Sequence, residues 1–118
     1  MVNFLLVGFG GFIGSVARYL FSQIPIFEGL AFPVSTLIVN FIGSLIIGMI
    51  SSLAPGFKFN LFFKIGLCGG LTTFSAFSLE TFSMIESGKI LLAVAYCFAS
   101  VALSLAGVFL GSKMLANF

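Results

Sequence analysis

The chain of 118 residues has no histidine, only two cysteines and very few charged side chains. Without histidine it cannot form the Ser–His or Cys–His pairs of nucleophilic enzymes, nor the usual zinc sites. Cys68 and Cys97 lie far apart within apolar stretches, so they fit neither a CxxC redox motif nor a metal site, and we interpret them as buried apolar side chains. Because only three carboxylates are left for catalysis, the protein is predicted not to be an enzyme.

Charged residues make up 7% of the chain and hydrophobic residues 60%, whereas a soluble domain has roughly 25% charged residues. Eight charged side chains cannot cover a water-exposed surface, so lipid must be the solvent for most of the protein. The net charge of +2 and the lack of a basic run argue against a nucleic-acid partner. The length indicates one domain. The composition therefore predicts a single membrane domain in a lipid bilayer.

Apolar segments long enough to cross a bilayer, which takes about 20 residues per helix, recur four times. The predicted all-α fold has transmembrane helices at about 3–22, 33–53, 61–85 and 90–112. The first is not interpreted as a signal peptide, because it lacks a basic start and its one charge, Arg18, lies at the far end. Four spans place both termini on the same side of the membrane.

Positive charges are distributed almost evenly between the two ends of the helices. Lys58, Lys64 and Lys113 belong to the side of the termini, and Lys89 and Arg18 to the other side. Orientation follows the Lys/Arg asymmetry of the loops, so this weak bias favours insertion in either direction. Because four short helices enclose little space, a pore would need a second copy of the chain. We therefore predict an antiparallel, dual-topology homodimer, with a pair of similar but distinct chains as an open alternative.

Small and polar residues fall three or four positions apart on one face of three spans, which directs them toward protein rather than lipid. The glycines among them are typical of close helix packing. An arginine within a membrane is costlier, at about 2.5–3.5 kcal/mol in insertion assays, and its presence indicates a role. The stripes are Gly11, Gly14, Ser15 and Arg18; Thr36, Asn40, Gly43, Ser44 and Gly48; and Tyr96, Ser100, Ser104, Gly107 and Gly111.

The third span is predicted to be broken near its middle, where paired glycines precede two β-branched threonines. Backbone groups freed by such a break need partners in protein, water or an ion, and freed carbonyls can coordinate a cation. Phe74 and Phe77 follow the break on one helical face. Since aromatic rings have a positive edge, these two rings could contact an anion in a pore.

In this segment the chain resembles the fluoride channel family known as Fluc or CrcB. Residues 66–75 read Gly-Leu-Cys-Gly-Gly-Leu-Thr-Thr-Phe-Ser and differ from the family core GFCGGLTTFS only at Leu67. The resemblance extends over all four spans, through the Gly-Gly-x-x-Gly-x-x-x-Arg-Tyr run that ends at Tyr19, the Thr-x-x-x-Asn pattern of Asn40, and Glu80 after the phenylalanine pair.

The resemblance implies a channel in the bacterial inner (plasma) membrane that exports cytoplasmic fluoride passively. It implies an antiparallel dimer with two pores and a structural sodium ion (Na+) at its centre, held by the backbone carbonyls of Gly69 and Thr72. The implied pore residues are Phe74, Phe77, Asn40, Ser100, Ser104, Tyr96 and Ser75, and the implied vestibule or structural polar residues are Arg18, Thr36 and Glu80.

Two further positions depart from the family pattern. Ala76 replaces the usual threonine, which removes a hydroxyl from the polar track, and Ser35 stands where glycine commonly precedes Thr36. Two other functions are alternatives. A small multidrug/proton antiporter needs a carboxylate in its first helix, where this chain has Arg18 and no acid. A non-conducting membrane assembly subunit, in which every polar stripe serves packing, is the third interpretation.

Overall fold

A computed structural model of the protein describes residues 1–116 and contains four helical segments of membrane length. Helix α1 is Val2–Ser22, α2 is Val34–Leu53, and the third segment, Phe57–Glu86, consists of α3 (residues 57–71) and α4 (Phe74–Glu86). Helix α5 is Ile90–Ala116, and one 3-10 turn, Pro25–Phe27, precedes α2. All four segments are long and apolar enough to cross a membrane. The prediction of an all-helical protein with four such segments is confirmed.

The helix ends differ from the predicted ones mainly where lysines stand. The third segment begins at Phe57 rather than near 61, and α5 continues to Ala116 rather than to 112. A lysine can stay in a helix because its apolar stem packs along the helix while its ammonium group reaches out to the interface. Lys113 does so over the ring of Phe109, with 5.7 Å between its Nζ and the ring centre. Lysines were therefore poor markers of where these helices end.

Glycines allow the helices to approach each other at backbone distance in two pairs. Helix α1 packs on α3, and a Cβ added to Gly10 or Gly14 would collide with the carbonyl oxygens of Phe62 or Leu67. Helix α2 packs on α5, where a Cβ on Gly48 would collide with the carbonyl oxygen of Val108. The glycine stripes are thus packing surfaces, as small residues are in other membrane helix pairs.

Replacing Gly14 by alanine is expected to destabilise the protein by about 1–3 kcal/mol, because the added methyl group overpacks the α1–α3 contact. The matched control is Gly8→Ala on the same helix, where an added Cβ would have no atom within 4 Å. Thermal unfolding in detergent should show a lower Tm for Gly14→Ala and an unchanged or higher Tm for Gly8→Ala, because alanine is the better helix former. Equal Tm values for Gly14→Ala and Gly8→Ala would contradict the close packing of α1 on α3.

The third segment breaks at the threonines rather than at the glycines. Gly69 and Gly70 belong to a helical turn, while Thr72 and Thr73 are extended, with φ/ψ of −82°/152° and −149°/121°. Gly70 serves another purpose, since a Cβ there would collide with the carbonyl oxygen of Gly11 in α1. Threonine favours extended backbone, and the Thr73 hydroxyl accepts a hydrogen bond from the Ala76 N–H at 3.1 Å, which caps α4.

Candidate functional site

The backbone of the break is held by Asn40, which reaches it from α2. The Thr73 N–H donates to Asn40 Oδ1 at 2.8 Å, and Asn40 Nδ2 donates to the Thr73 carbonyl at 3.2 Å. A helix end leaves backbone groups without partners inside the helix, and one side chain here satisfies a donor and an acceptor of the same residue. A primary amide has a second N–H, so Asn40 can bond the break and still donate elsewhere.

Arg18 supplies the second bond to the break. Its Nε donates to the carbonyl oxygen of Gly70 at 3.2 Å. Gly70 lies against Gly11 and Ser15 of α1, so the arginine side chain turns back toward the middle of its own helix. A charged donor strengthens such a bond, which gives this arginine a structural role beside the break.

The predicted cation ligands, Gly69 and Thr72, belong to the last turn before the break, where carbonyl oxygens lose their helical partners. Gly69 is exposed on the protomer, and a Cβ added to it would have no atom within 4 Å. The backbone at Gly69 is therefore open to an approaching ion or to another protein chain. Carbonyl oxygens are suitable ligands for a hard cation, so the residues present fit the sodium that the resemblance implies.

A groove of about 450 Å³ runs beside the break between α2, α4 and α5. It brings together five of the seven predicted pore residues, namely Asn40, Phe74, Phe77, Ser100 and Ser104. Asn40 and the serines supply an amide and two hydroxyls, and the two phenyl rings lie 5.4 Å apart between centres. The other lining residues are Gly43, Ser44, Ile47, Thr72, Thr73, Val101, Leu105 and Val108. None of the residues that line the groove carries a formal charge.

Ser100 has an unusual environment for a hydroxyl group. The residue is 7% exposed, and its Oγ has no hydrogen-bond partner within residues 1–116. Burying a hydroxyl without a partner costs roughly 1–3 kcal/mol by protein mutational data. Ser100 lines the groove, so its hydroxyl is a candidate donor to a water molecule or an ion there.

Tyr96 and Ser75, the other two predicted pore residues, do not line the groove. Tyr96 is fully buried; its hydroxyl donates to Glu80 at 2.6 Å and its ring stacks on Phe77 with 5.2 Å between centres. Tyr96 therefore packs against the groove residue Phe77 without lining the groove itself. Ser75 is exposed, and its hydroxyl lies 3.2 Å from the hydroxyl of Thr73.

The predicted vestibule residues share a second crevice, of about 410 Å³, on the other side of Thr73. It is lined by Arg18, Thr36 and Glu80, and Glu80 accepts a second hydrogen bond there, from the Thr36 hydroxyl at 2.5 Å. Two of the positions that depart from the family pattern, Ser35 and Ala76, line this crevice and not the groove. The hydroxyl group that a threonine at position 76 would supply is therefore missing from the crevice and not from the groove.

Replacing Glu80 by glutamine should destabilise the protein by about 1–3 kcal/mol. The carboxylate accepts from both Thr36 and Tyr96, whereas an amide offers one oxygen, so one of the two donors would face an NH2 group and lose its bond. Thermal unfolding in detergent measures the loss. The control is Glu86→Gln at the exposed end of α4. If Glu80→Gln had the same Tm as this control, the role given to Glu80 would be contradicted.

The fold and the site together define a multi-pass helical membrane protein with an uncharged polar groove beside a broken span. The model of the family described as CrcB-like protein, Camphor Resistance (CrcB), matches residues 5–112, and the chain belongs to this family. The resemblance found in the sequence is confirmed.

Several curated relatives bear the name fluoride-specific ion channel FluC, and ion channels are not enzymes. The relative from Ruminiclostridium cellulolyticum is 43% identical, over 99% of this chain and 94% of its own length. The one from Rhizobium etli is 45% identical, over 94% of each chain. The one from Methanococcus vannielii is 50% identical, over 73% of each chain.

Proposed function

We propose that the chain is a fluoride-selective, passive ion channel that exports cytoplasmic fluoride across the bacterial plasma membrane. The name that its relatives share supports this function. The observation that carries the proposal is the uncharged groove itself, which brings Asn40, two phenylalanine rings and the serines Ser100 and Ser104 together beside the broken span.

The chemistry of the groove suits a small, strongly hydrated anion. Such an ion gives up its water only if protein donors replace it at short range. Asn40, Ser100 and Ser104 offer N–H and O–H donors, and the rings of Phe74 and Phe77 offer positive edges. A formal cation would hold the ion too tightly for rapid release; Arg18 lies in the separate crevice, bonded to Gly70.

A working channel on this proposal is an antiparallel dimer with two pores, formed with a second copy or with a homologous partner chain. The exposed backbone at Gly69 supports a structural sodium at the dimer centre, where the carbonyls of Gly69 and Thr72 from both protomers would hold it. Bound there, the cation would satisfy freed carbonyls and make the local field positive. Its role is structural.

Removal of sodium is expected to lower the Tm of the purified dimer by several degrees, since a ligand that binds only the folded state stabilises it. Protein purified in potassium buffer should regain its Tm when sodium is added. Lithium added at equal ionic strength is the control for a general effect of salt. Identical melting in sodium and potassium would contradict the sodium site and leave the pore proposal intact.

Ion efflux from proteoliposomes tests the function itself. Vesicles loaded with potassium fluoride or potassium chloride and made permeable to potassium should release fluoride rapidly, as read by an ion-selective electrode, and chloride no faster than protein-free vesicles. A folded dimer that releases no fluoride would contradict the channel and favour a non-conducting assembly subunit. Efflux of a cationic dye driven by a proton gradient would favour the antiporter.

A further inference from the structure

We infer that Ser44 is a further pore residue, which extends the line of anion donors beyond Asn40. This inference rests on the proposed function of the same groove. Ser44 lies four residues, about one turn, after Asn40 on α2 and lines the groove with it.

The contacts between α2 and α5 fix the level of Ser44 along the groove. A Cβ on Gly107 would lie 3.2 Å from the Cβ of Ser44, and Gly111 contacts Leu45 and Met49 further on. Later residues of α2 thus meet later residues of α5, so the two helices run side by side in the same direction. Ser44 therefore lies one turn beyond Asn40, toward the C-terminal ends of both helices.

The donors of the groove follow an order set by this register. Ser100 comes first, Asn40 and Ser104 share the next level, and Ser44 follows. Beyond Ser44 the lining is apolar, formed by Ile47 and Val108. Ser44 is thus the last donor that an ion meets before the apolar end of the groove, and without it the polar part would be one turn shorter.

Hydroxyl groups elsewhere in this protein behave differently. Serines inside helices commonly donate back to a carbonyl of their own helix, as Ser52 does to Met49 at 2.9 Å and Ser83 does to Leu79 at 2.9 Å. Ser44, which lines the groove, makes no such bond within residues 1–116. Its hydroxyl is therefore free for a ligand from outside the protomer.

Close packing explains why residue 44 is small, since its Cβ meets Gly107, but it does not explain the hydroxyl. Alanine would keep that Cβ contact and remove only the oxygen atom. A Ser44→Ala variant therefore separates the packing role from the donor role with little disturbance of the helix pair.

Fluoride and chloride efflux from proteoliposomes provides the test, with Ser52→Ala as the matched control on the same helix. Fluoride efflux through Ser44→Ala should fall about three- to tenfold, the effect of one lost hydrogen bond, with no change in Tm. Ser52→Ala should conduct like the unmodified protein. Ser44→Gly, which also lacks the hydroxyl, should reproduce the loss if the alanine variant fails to assemble.

The outcomes separate the two proposals. No fluoride efflux through the unmodified protein would overturn the channel and this inference together. Normal efflux through both the unmodified protein and Ser44→Ala would overturn only the role of Ser44. An equal loss in Ser44→Ala and Ser52→Ala would also overturn it, because the effect would then not depend on the groove.

Discussion

Replacing Asn40 by alanine should reduce fluoride efflux to the level of protein-free vesicles. The change leaves the N–H and the carbonyl of Thr73 without the side chain that bonds both, at a cost of about 1–3 kcal/mol for each buried group. It also removes the amide donor from the groove. Asn40 thus has two roles, in holding the break open and in contacting the ion, and alanine removes both.

Two further substitutions of Asn40 change these roles to different degrees. Aspartate keeps an acceptor for the Thr73 N–H but sets its other oxygen against the Thr73 carbonyl and adds a negative charge, so Asn40→Asp should lower the Tm and should not conduct. Serine is a shorter donor, and Asn40→Ser should conduct less than the unmodified protein. The control is Asn60→Ala at the start of α3, where Asn60 bonds the Pro55 carbonyl outside the groove. Efflux through Asn40→Ala at the unmodified rate would contradict both roles.

Replacing Phe77 or Phe74 by isoleucine should lower fluoride efflux at least tenfold, because each change removes a ring edge from the groove. The structure predicts different costs in stability. Phe77 is packed between Phe74 and Tyr96, with its ring stacked on the tyrosine, so Phe77→Ile should also lower the Tm. Phe74 is 79% exposed in the protomer, so Phe74→Ile should keep the stability of the fold within each chain.

The control for both rings is Phe82→Ile, which changes an exposed phenylalanine on the same helix outside the groove. Efflux measured in parallel for the three variants isolates the effect of the groove. If Phe74→Ile and Phe77→Ile conduct as well as Phe82→Ile, the rings have no part in conduction and the positive-edge mechanism is wrong.

The four spans could be predicted because a lipid solvent leaves a simple mark on a sequence. Long apolar runs with few charges are typical of helices that cross the bilayer, and those runs are the helices of the structure. The interruption of the third helix within its glycine–threonine segment was also predictable, but not which residues of that segment leave the helix. Gly70 stays helical and is required by the approach of α1, whereas the chain is extended at Thr72 and Thr73.

The contacts that organise the site were less accessible to sequence reasoning, because they join residues distant in the chain. Periodicity placed Asn40 and Arg18 on inward faces. Nothing in the local sequence indicated that Asn40 would bond both the N–H and the carbonyl of Thr73, or that Arg18 would bond the carbonyl of Gly70. Ser44 belonged to a stripe that small-residue packing explained fully. Only the groove gave its hydroxyl a further role.

Electrical recording from protein in a planar bilayer tests passive fluoride conduction most directly. With fluoride and chloride gradients of equal size and opposite direction across the membrane, a fluoride-selective channel gives a current that reverses at the equilibrium potential of fluoride. We predict that the current reverses at the equilibrium potential of fluoride and that a pH difference across the bilayer does not change this reversal potential. Reversal at the chloride potential, or a shift with the proton gradient, would contradict the proposed function.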